Sequence, residues 1–410
     1  MAGDVGGISG VLGSAGYLAD PYRTYELLRR EDPVHWSDDW GCWLVTRYDD
    51  VAAVLRDTGG FSSAGRFVAM LGRLPPDLRR EVLDAWPLSG LFQSDPPEYT
   101  RHRQLLGRAF TRHLSLMPAK IGQMVDSIVA DATDRGEIDI IRDLAVPLPA
   151  DVVLDLLGIP VDDRAQFKAW SDSIISLLSS GIPDVARVEQ FRAATDAAKE
   201  WIAQLVADRR ANPLDDMLSE LVALGPSSEL MTDAELLVTV IQFLLAGHET
   251  TTNLIGNGTL SLLRNRDQRG DLHDHIDDAA LVANAVEELL RFESPLQRLA
   301  RLVTHDVELR GKPVAKGDIV MVMLGAANRD PDAFPAPDTL DIRRQPNRHA
   351  AFGFGAHFCL GAPLARIEGA VALRALFRLS RLRLIDESPQ WQENVTFHGV
   401  KTLRVAIDAF

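Results

Sequence analysis

The decapeptide FGFGAHFCLG, Phe352 to Gly361, puts a cysteine, a histidine two residues before it and three glycines in one short stretch. Glycines admit backbone angles and close approaches that a Cβ forbids. Such a loop suits contact with something bulky: a nucleotide phosphate, a metal, a covalent intermediate or a large flat cofactor. Each makes its own demand. Gly353-Phe354-Gly355 begins a G-x-G, but Phe358 stands where the dinucleotide fingerprint needs its third glycine, and no strand with an acidic residue about 20 positions on follows. Zinc needs about four ligands, and the other cysteine, Cys42, is remote in sequence. A nucleophilic cysteine wants a histidine base beside it in space, and His357 is too near in sequence to decide that. A thiolate serving as the axial ligand of haem iron needs one sulfur only. A structural loop around a buried cysteine needs no ligand at all. The cysteine alone leaves these readings open.

A second chemical stretch, Gly247-His248-Glu249-Thr250-Thr251-Thr252, follows a run from Val238 to Ala246 that is apolar on every side and therefore reads as buried. Polar groups in a core are costly unless satisfied, so this insertion asks for a purpose. The zinc-peptidase motif H-E-x-x-H fails, because Thr252 stands where the second histidine belongs. Thr250 lies four residues after Ala246 and can donate to its carbonyl, loosening the helix beside the small Gly247. A third pair, Glu288 and Arg291, shares one helix face. Alone it means little, since exposed pairs at this spacing are worth only about 0.2–0.5 kcal/mol.

The elements that must position these groups are mostly helical. Thr232 and Glu235 form a capping box, and about 30 residues follow, a rod of roughly 45 Å. Other helical patterns cover 21–31, 48–57, 98–113, 117–134, 149–157, 163–179, 187–210, 278–292 and 363–379. Short strands are expected in pairs, Val34–Trp36 with Trp43–Thr46 and Val307–Leu309 with Ile319–Met323, with a final β cluster over 381–408. Residues 325–361 are long and irregular, and stretches of that kind are usually functional or disordered. Isolated charges and aromatics within it argue for order.

Phe352-Gly353-x-Gly355-x-His357-x-Cys359-Leu360-Gly361 resembles the cysteine-ligand loop of the cytochrome P-450 family, the haem-thiolate monooxygenases. The resemblance extends along nearly the whole chain, from the opening helix to the terminal β cluster. It implies a mainly α structure with a small β portion, one triangular domain over 1–410, with a flexible N-terminus at about 1–16. Haem b would lie between the long helix and the cysteine loop. Cys359 would be the axial ligand of the iron, with Phe352 beside the sulfur and Gly353 and Gly361 letting backbone amides approach it. Ala246 and Gly247 would leave room for dioxygen, and Glu249 with Thr250 would relay protons. His248 would be structural or pocket-side. Glu288, Arg291 and Arg344 would form a buried structural network. Asp95-Pro96-Pro97-Glu98-x-x-x-x-Arg103 resembles the segment whose arginine meets a haem propionate, and Arg301 and His357 fill the other two positions. The common pattern has histidine where Tyr99 stands; tyrosine donates a hydrogen bond but carries no charge near neutral pH.

The implied reaction inserts one oxygen atom from O₂ into a lipophilic substrate, by hydroxylation or epoxidation. A peroxide-driven enzyme of the same family and a non-catalytic haem sensor are the rival readings. Trp86, Ile174, Leu178, Leu296, Gln297 and Phe397 are expected to line the distal pocket, with Gln297 its polar group. No flavin or iron–sulfur domain is fused, so electrons are expected from a ferredoxin or flavodoxin and its reductase. The Arg101–His113 segment holds four arginines, two histidines and no acid, and docking is expected near Arg108 and Arg112.

Composition bounds the rest. A hydrophobic fraction of 46% allows a large core, and a net charge of −15 argues against a nucleic-acid partner. Two cysteines are too few for a four-cysteine iron–sulfur cluster, and Cys42 in WGCWLV reads as a small buried hydrophobe. With no apolar run of about 18 residues and no signal-like opening, the expectation is a cytoplasmic monomer that does not meet the membrane.

Overall fold

A computed structural model describes residues 10–86, 90–160, 163–179, 185–224, 231–379 and 381–407. The first half carries α1 (Ala15–Ala19), α2 (Tyr22–Glu31), β1 (Val34–Ser37), β2 (Cys42–Val45), α3 (Tyr48–Arg56), β3 (Phe61–Ser62), α4 (Arg66–Met70), α5 (Pro76–Ala85), α6 (Glu98–Leu114), α7 (Met117–Arg135), β4 (Glu137–Asp139), α8 (Pro147–Leu157), α9 (Arg164–Ser179) and α10 (Val185–Ala211). The second half carries α11 (Met217–Ala223), α12 (Asp233–Arg264), α13 (Arg266–Asp274), α14 (Ala279–Phe292), β5 (Arg298–Val303), β6 (Val307–Leu309), β7 (Lys312–Val314), β8 (Ile319–Met323), α15 (Leu324–Ala327), α16 (Ala362–Phe377), β9 (Leu382–Leu384) and β10 (Arg404–Ile407).

Helix α12 is the axis. Its capping box is complete: Thr232 accepts from the Glu235 amide and Glu235 accepts from the Thr232 amide. At 32 residues it runs about 48 Å. Every residue from Thr251 to Leu263 is buried, because α8, α10, α14, α16 and a π turn at Ile140–Ala145 pack around it. The main apolar core gathers along this helix.

One sheet runs β1-β2-β8-β5-β3, a second β4-β10-β9, and β6 with β7 forms a two-stranded ribbon. This corrects one expected pairing. Val307–Leu309 pairs with Lys312–Val314, while Ile319–Met323 lies between β2, in parallel, and β5, antiparallel. All five residues of β8 are buried, and a fully buried strand needs a neighbour on each edge. The nearby three-residue β6, only half-buried, cannot cover it. Of the N-terminus expected to be flexible over about 1–16, residues 1–9 lie outside the described residues and residues 13–16 are exposed. The Gly10 amide donates to Asp39 at 2.6 Å, and Leu12 and Tyr17 are buried.

Among the described residues, no helix is long and apolar enough to cross a membrane.

Candidate active site

The cysteine loop is pinned from behind. Cys359 N donates to Phe352 O at 3.0 Å, and Gly353 N to Ala350 O at 2.8 Å. Ala350 N donates in turn to Asn328 Oδ1 at 2.6 Å. Gly353 and Gly355 both hold positive φ, +69° and +72°. A Cβ at Gly355 would sit 2.8 Å from Leu55 O, so the loop can pass the end of α3 only as glycine. The amides of Gly361 and Ala362 point at the Cys359 sulfur. Burial pushes the Cys359 thiol pKa up, and those amides and Arg103 oppose the rise. Cys359 is exposed although protein crowds it, as expected of a group that lines an internal space. Phe352 packs between Phe358, His349 and the Arg366 guanidinium, which lies 4.6 Å from its ring centre.

Glu288, Arg291 and Arg344 are brought together. Glu288 and Arg291 are wholly buried and joined by two bonds of 2.7 Å, and Arg344 Nε lies 3.1 Å from the same carboxylate. The amide of Asp341 donates to it as well, at 2.9 Å. Arg291 also reaches Asn328 O and Pro337 O, and Arg344 reaches Pro335 O. The irregular stretch before the cysteine loop is therefore held by charge-assisted bonds to its own carbonyls. Sequence spacing alone could not show that the pair is buried.

On α12, Ala246 is exposed and Thr250 partly so in the middle of an otherwise buried helix, which corrects the reading of Val238–Ala246 as buried on every side. A side of this helix therefore opens onto internal space. Thr250 Oγ1 donates to Ala246 O at 3.3 Å. A Cβ at Gly247 would lie 2.4 Å from Val153 Cγ2, so α8 and α12 touch there through glycine. Glu249 is buried, and burial raises its pKa, with Lys168 opposing and Asp172 reinforcing. His248 faces α9. Its Nδ1 lies 3.0 Å from Leu244 O, which can only accept, so Nδ1 carries the proton and Nε2 accepts from Ser171 Oγ at 3.1 Å. Burial lowers its pKa to about 4, so it is neutral.

A cationic cluster adjoins the cysteine loop. His357 sits in the field of Arg301, Arg66, Asp95 and Arg103 together. Its Nε2 is buried without a hydrogen-bond partner. Three guanidiniums thus share one carboxylate, and Asp95 is already engaged by Ser62 Oγ, Ser63 N and Ala64 N. A buried excess of positive charge beside a histidine nitrogen that lies 4.0 Å from Asp95 and has no hydrogen-bond partner fits a ligand with two carboxylates. Arg66 was missed in the sequence, since no periodicity or motif marks it; only the fold brings it 29 positions back beside Asp95. Tyr99 is placed differently from expectation. Its hydroxyl donates to Ala356 O at 2.7 Å, so that proton serves the cysteine loop and is not free for a cofactor.

The pocket expectations need correction. Gln297 is 2% exposed, donates from Nε2 to Ser294 O at 2.6 Å and faces Tyr22, so it opens onto no cavity. Trp86 is packed between Phe67 and Phe191, and Ile174 is equally buried in the main core. Leu296 and Phe397 are partly accessible and bridge each other. The side chain of Leu178 lies outside the described residues. The basic segment is also less free than its sequence suggests. Arg101 and His102 pair with Glu235, and Arg112 pairs with Asp215 and Glu220. Arg108 is exposed, with no ion pair among the described residues. Glu368 on α16 is another group the sequence did not signal. It is wholly buried, neither carboxyl oxygen has a hydrogen-bond partner among the described residues, and burial raises its pKa to about 8.

No group of three His, Cys, Asp or Glu that could hold a metal occurs among the described residues, which leaves the peptidase reading no ligand set. Residues 43–403 match the family model for cytochrome P450, and the chain belongs to that family. It is a haem-thiolate monooxygenase whose cofactor is haem b, and the accessible Cys359 and the cationic cluster around Asp95 fit that group and its two carboxylates. The chain is 34% identical over 404 residues to the polyketide biosynthesis cytochrome P450 PksS of Bacillus subtilis, covering 95% of this chain and 96% of that one. It is 38% identical over 369 residues to a vitamin D(3) 25-hydroxylase of Pseudonocardia autotrophica, covering 89% and 87%. The crystal structure of CalO2 superposes with a TM-score of 0.87 at 35% identity, covering 97% of this chain and 98% of that chain.

Proposed function

We propose that this chain, folding as one domain, hydroxylates a bulky lipophilic molecule of polyketide or steroid type, with haem b lying between α12 and the Cys359 loop. The observation that carries the placement is the accessible Cys359 sulfur, walled by protein and beside a cationic cluster that one carboxylate cannot neutralise. The names of the polyketide-pathway and vitamin D relatives support the substrate class. Once bound, haem b supplies the dioxygen reduction and oxygen insertion, with the Cys359 thiolate donating electron density.

The chain's own residues do the rest. Phe352 and the amides of Gly361 and Ala362 hold the sulfur. Arg103, Arg301 and His357 receive the carboxylates. Gly247 and Ala246 leave α12 without bulk at the open side. Glu249 keeps its proton to a higher pH than an exposed carboxyl, so it can act as an acid, and the Lys168–Asp172 pair beside it leads to the surface. Thr250 can take a proton at its hydroxyl oxygen and pass on its own proton by giving up the bond to Ala246 O.

Electrons come from a ferredoxin or flavodoxin and its reductase, and the protein works as a cytoplasmic monomer. Because Arg112 is ion-paired within the chain, docking is assigned chiefly to Arg108. The test is turnover with surrogate ferredoxin and reductase under ¹⁸O₂. One labelled oxygen atom should enter a substrate that shifts the haem spectrum, and Arg108→Glu should slow first-electron transfer at low salt. Unlabelled product, or reduction with no oxygenation of any such ligand, would remove the monooxygenase reading of this site.

A further inference from the structure

The strap that follows β3 has an odd means of attachment. Helix α4 buries none of its side chains, and its N-cap, Gly65, makes no side-chain capping bond. Val68 and Met70 are exposed, at 39% and 38%. Of its apolar side chains only Phe67, against Trp86, and Ala69 are half-buried, so apolar contact holds these five residues weakly, and short helices take their stability from packing. Arg66 is the one residue of α4 that reaches inward with charge. It is walled by protein, yet partly accessible, so like Cys359 it lines internal space.

What Arg66 meets there is incomplete. Its Nη1 donates to Ser63 O at 2.6 Å. No carboxylate ion-pairs with it among the described residues, because both Asp95 oxygens are taken by the 62–64 turn. Arg301 adds like charge beside it. A guanidinium desolvated next to another is costly unless an anion joins them. Two charges remain uncompensated among Arg66, Arg103, Arg301 and Asp95, and haem b carries two propionates. Tyr99, meanwhile, spends its proton on Ala356 O. Burial and the Arg301 charge lower the Arg66 pKa to about 9, which is what a missing anion would produce.

We propose that Arg66 is a cofactor-binding residue whose guanidinium holds a haem carboxylate, and that this bond ties α4 to the cofactor. The proposal rests on the haem placement given above. It makes the strap's order depend on the cofactor's acid groups, so that α4 is firm only when they are present.

The test uses the haem-loaded protein. Haem transfer to apomyoglobin should be about tenfold faster or more from Arg66→Leu, the loss of one charge-assisted bond, and intermediate from Arg66→Lys, which keeps charge but loses the planar fork. Amide exchange over residues 66–73 should rise in Arg66→Leu while α12 stays protected. Wild-type protein reconstituted with haem dimethyl ester should show the same local rise, an arm that stands even if the leucine variant does not fold. Wild-type rates of haem loss in Arg66→Leu, or unchanged α4 exchange with the dimethyl ester, would overturn the proposal. The carbon monoxide spectrum is recorded on every sample. A thiolate band with unchanged α4 exchange removes only the role of Arg66, whereas its absence in the wild type removes the haem placement itself.

Discussion

Thr250 and Glu249 are neighbours on α12 with different surroundings. Thr250 opens onto the internal space and Glu249 is buried beside Gln392. If they act as the alcohol and acid of a proton relay, their loss should spoil delivery of protons without spoiling cofactor binding. Thr250→Ala should fold, load haem and keep its carbon monoxide band, yet yield less product per NAD(P)H consumed and release peroxide. General acid assistance is typically worth about 10²–10⁴-fold in rate. Product per NAD(P)H is the measurement, and wild-type coupling would reject the relay. Glu368 makes a different prediction. Its carboxyl has a pKa of about 8 in the fold, against roughly 4.3 in the unfolded chain. The folded state therefore binds this proton more tightly. The stabilisation is full below about pH 4 and is lost as pH rises towards 8, at up to roughly 1.4 kcal/mol per pH unit. Denaturant midpoints between pH 5.5 and 8 should fall in the wild type, and the fall should be shallower in Glu368→Gln.

At the scale of elements, the irregular stretch from Asn328 to Asn347 depends on one carboxylate. Glu288 receives Arg291, Arg344, the Asp341 amide and Asn347. Glu288→Ala would strand two buried guanidiniums, and breaking a buried pair this way costs about 3–5 kcal/mol. Soluble yield and haem content should both collapse; a variant with wild-type melting would show that the network is dispensable. The longer helices were legible in the sequence because amphipathic stripes and caps are local, and the Thr232–Glu235 box marks the start of α12 to the residue. Short helices such as α5, α11 and α13 were missed. The π turn at Ile140–Ala145 was not legible, since its hydrogen bonds have no apolar period. The partner of β8 was misread because register between distant strands is decided by burial on both faces, which five apolar residues in a row do not specify. The motif residues of the site were readable through the family resemblance that their identities carry. Arg66 and Glu368 were not, because only tertiary packing gives a lone charge its meaning.

The whole molecule is acidic, at −15, and its basic groups are largely used within it. Arg101 and Arg112 hold α6 to α12 and α11, and Arg66, Arg103 and Arg301 gather around Asp95. That leaves the accessible Cys359 sulfur, an open helix side at Ala246 and Thr250, and a cluster that asks for two negative charges. In the proposed placement Cys359 ligates the iron of a haem held between that sulfur and α12. The direct measurement is the absorption spectrum of the reduced protein under carbon monoxide, for wild type and Cys359→Ser. Wild type should give the strongly red-shifted Soret band of a thiolate trans to carbon monoxide, and Cys359→Ser should lose it. A wild-type band at the position seen with histidine or no strong ligand, or a red-shifted band that survives in Cys359→Ser, would contradict the claim.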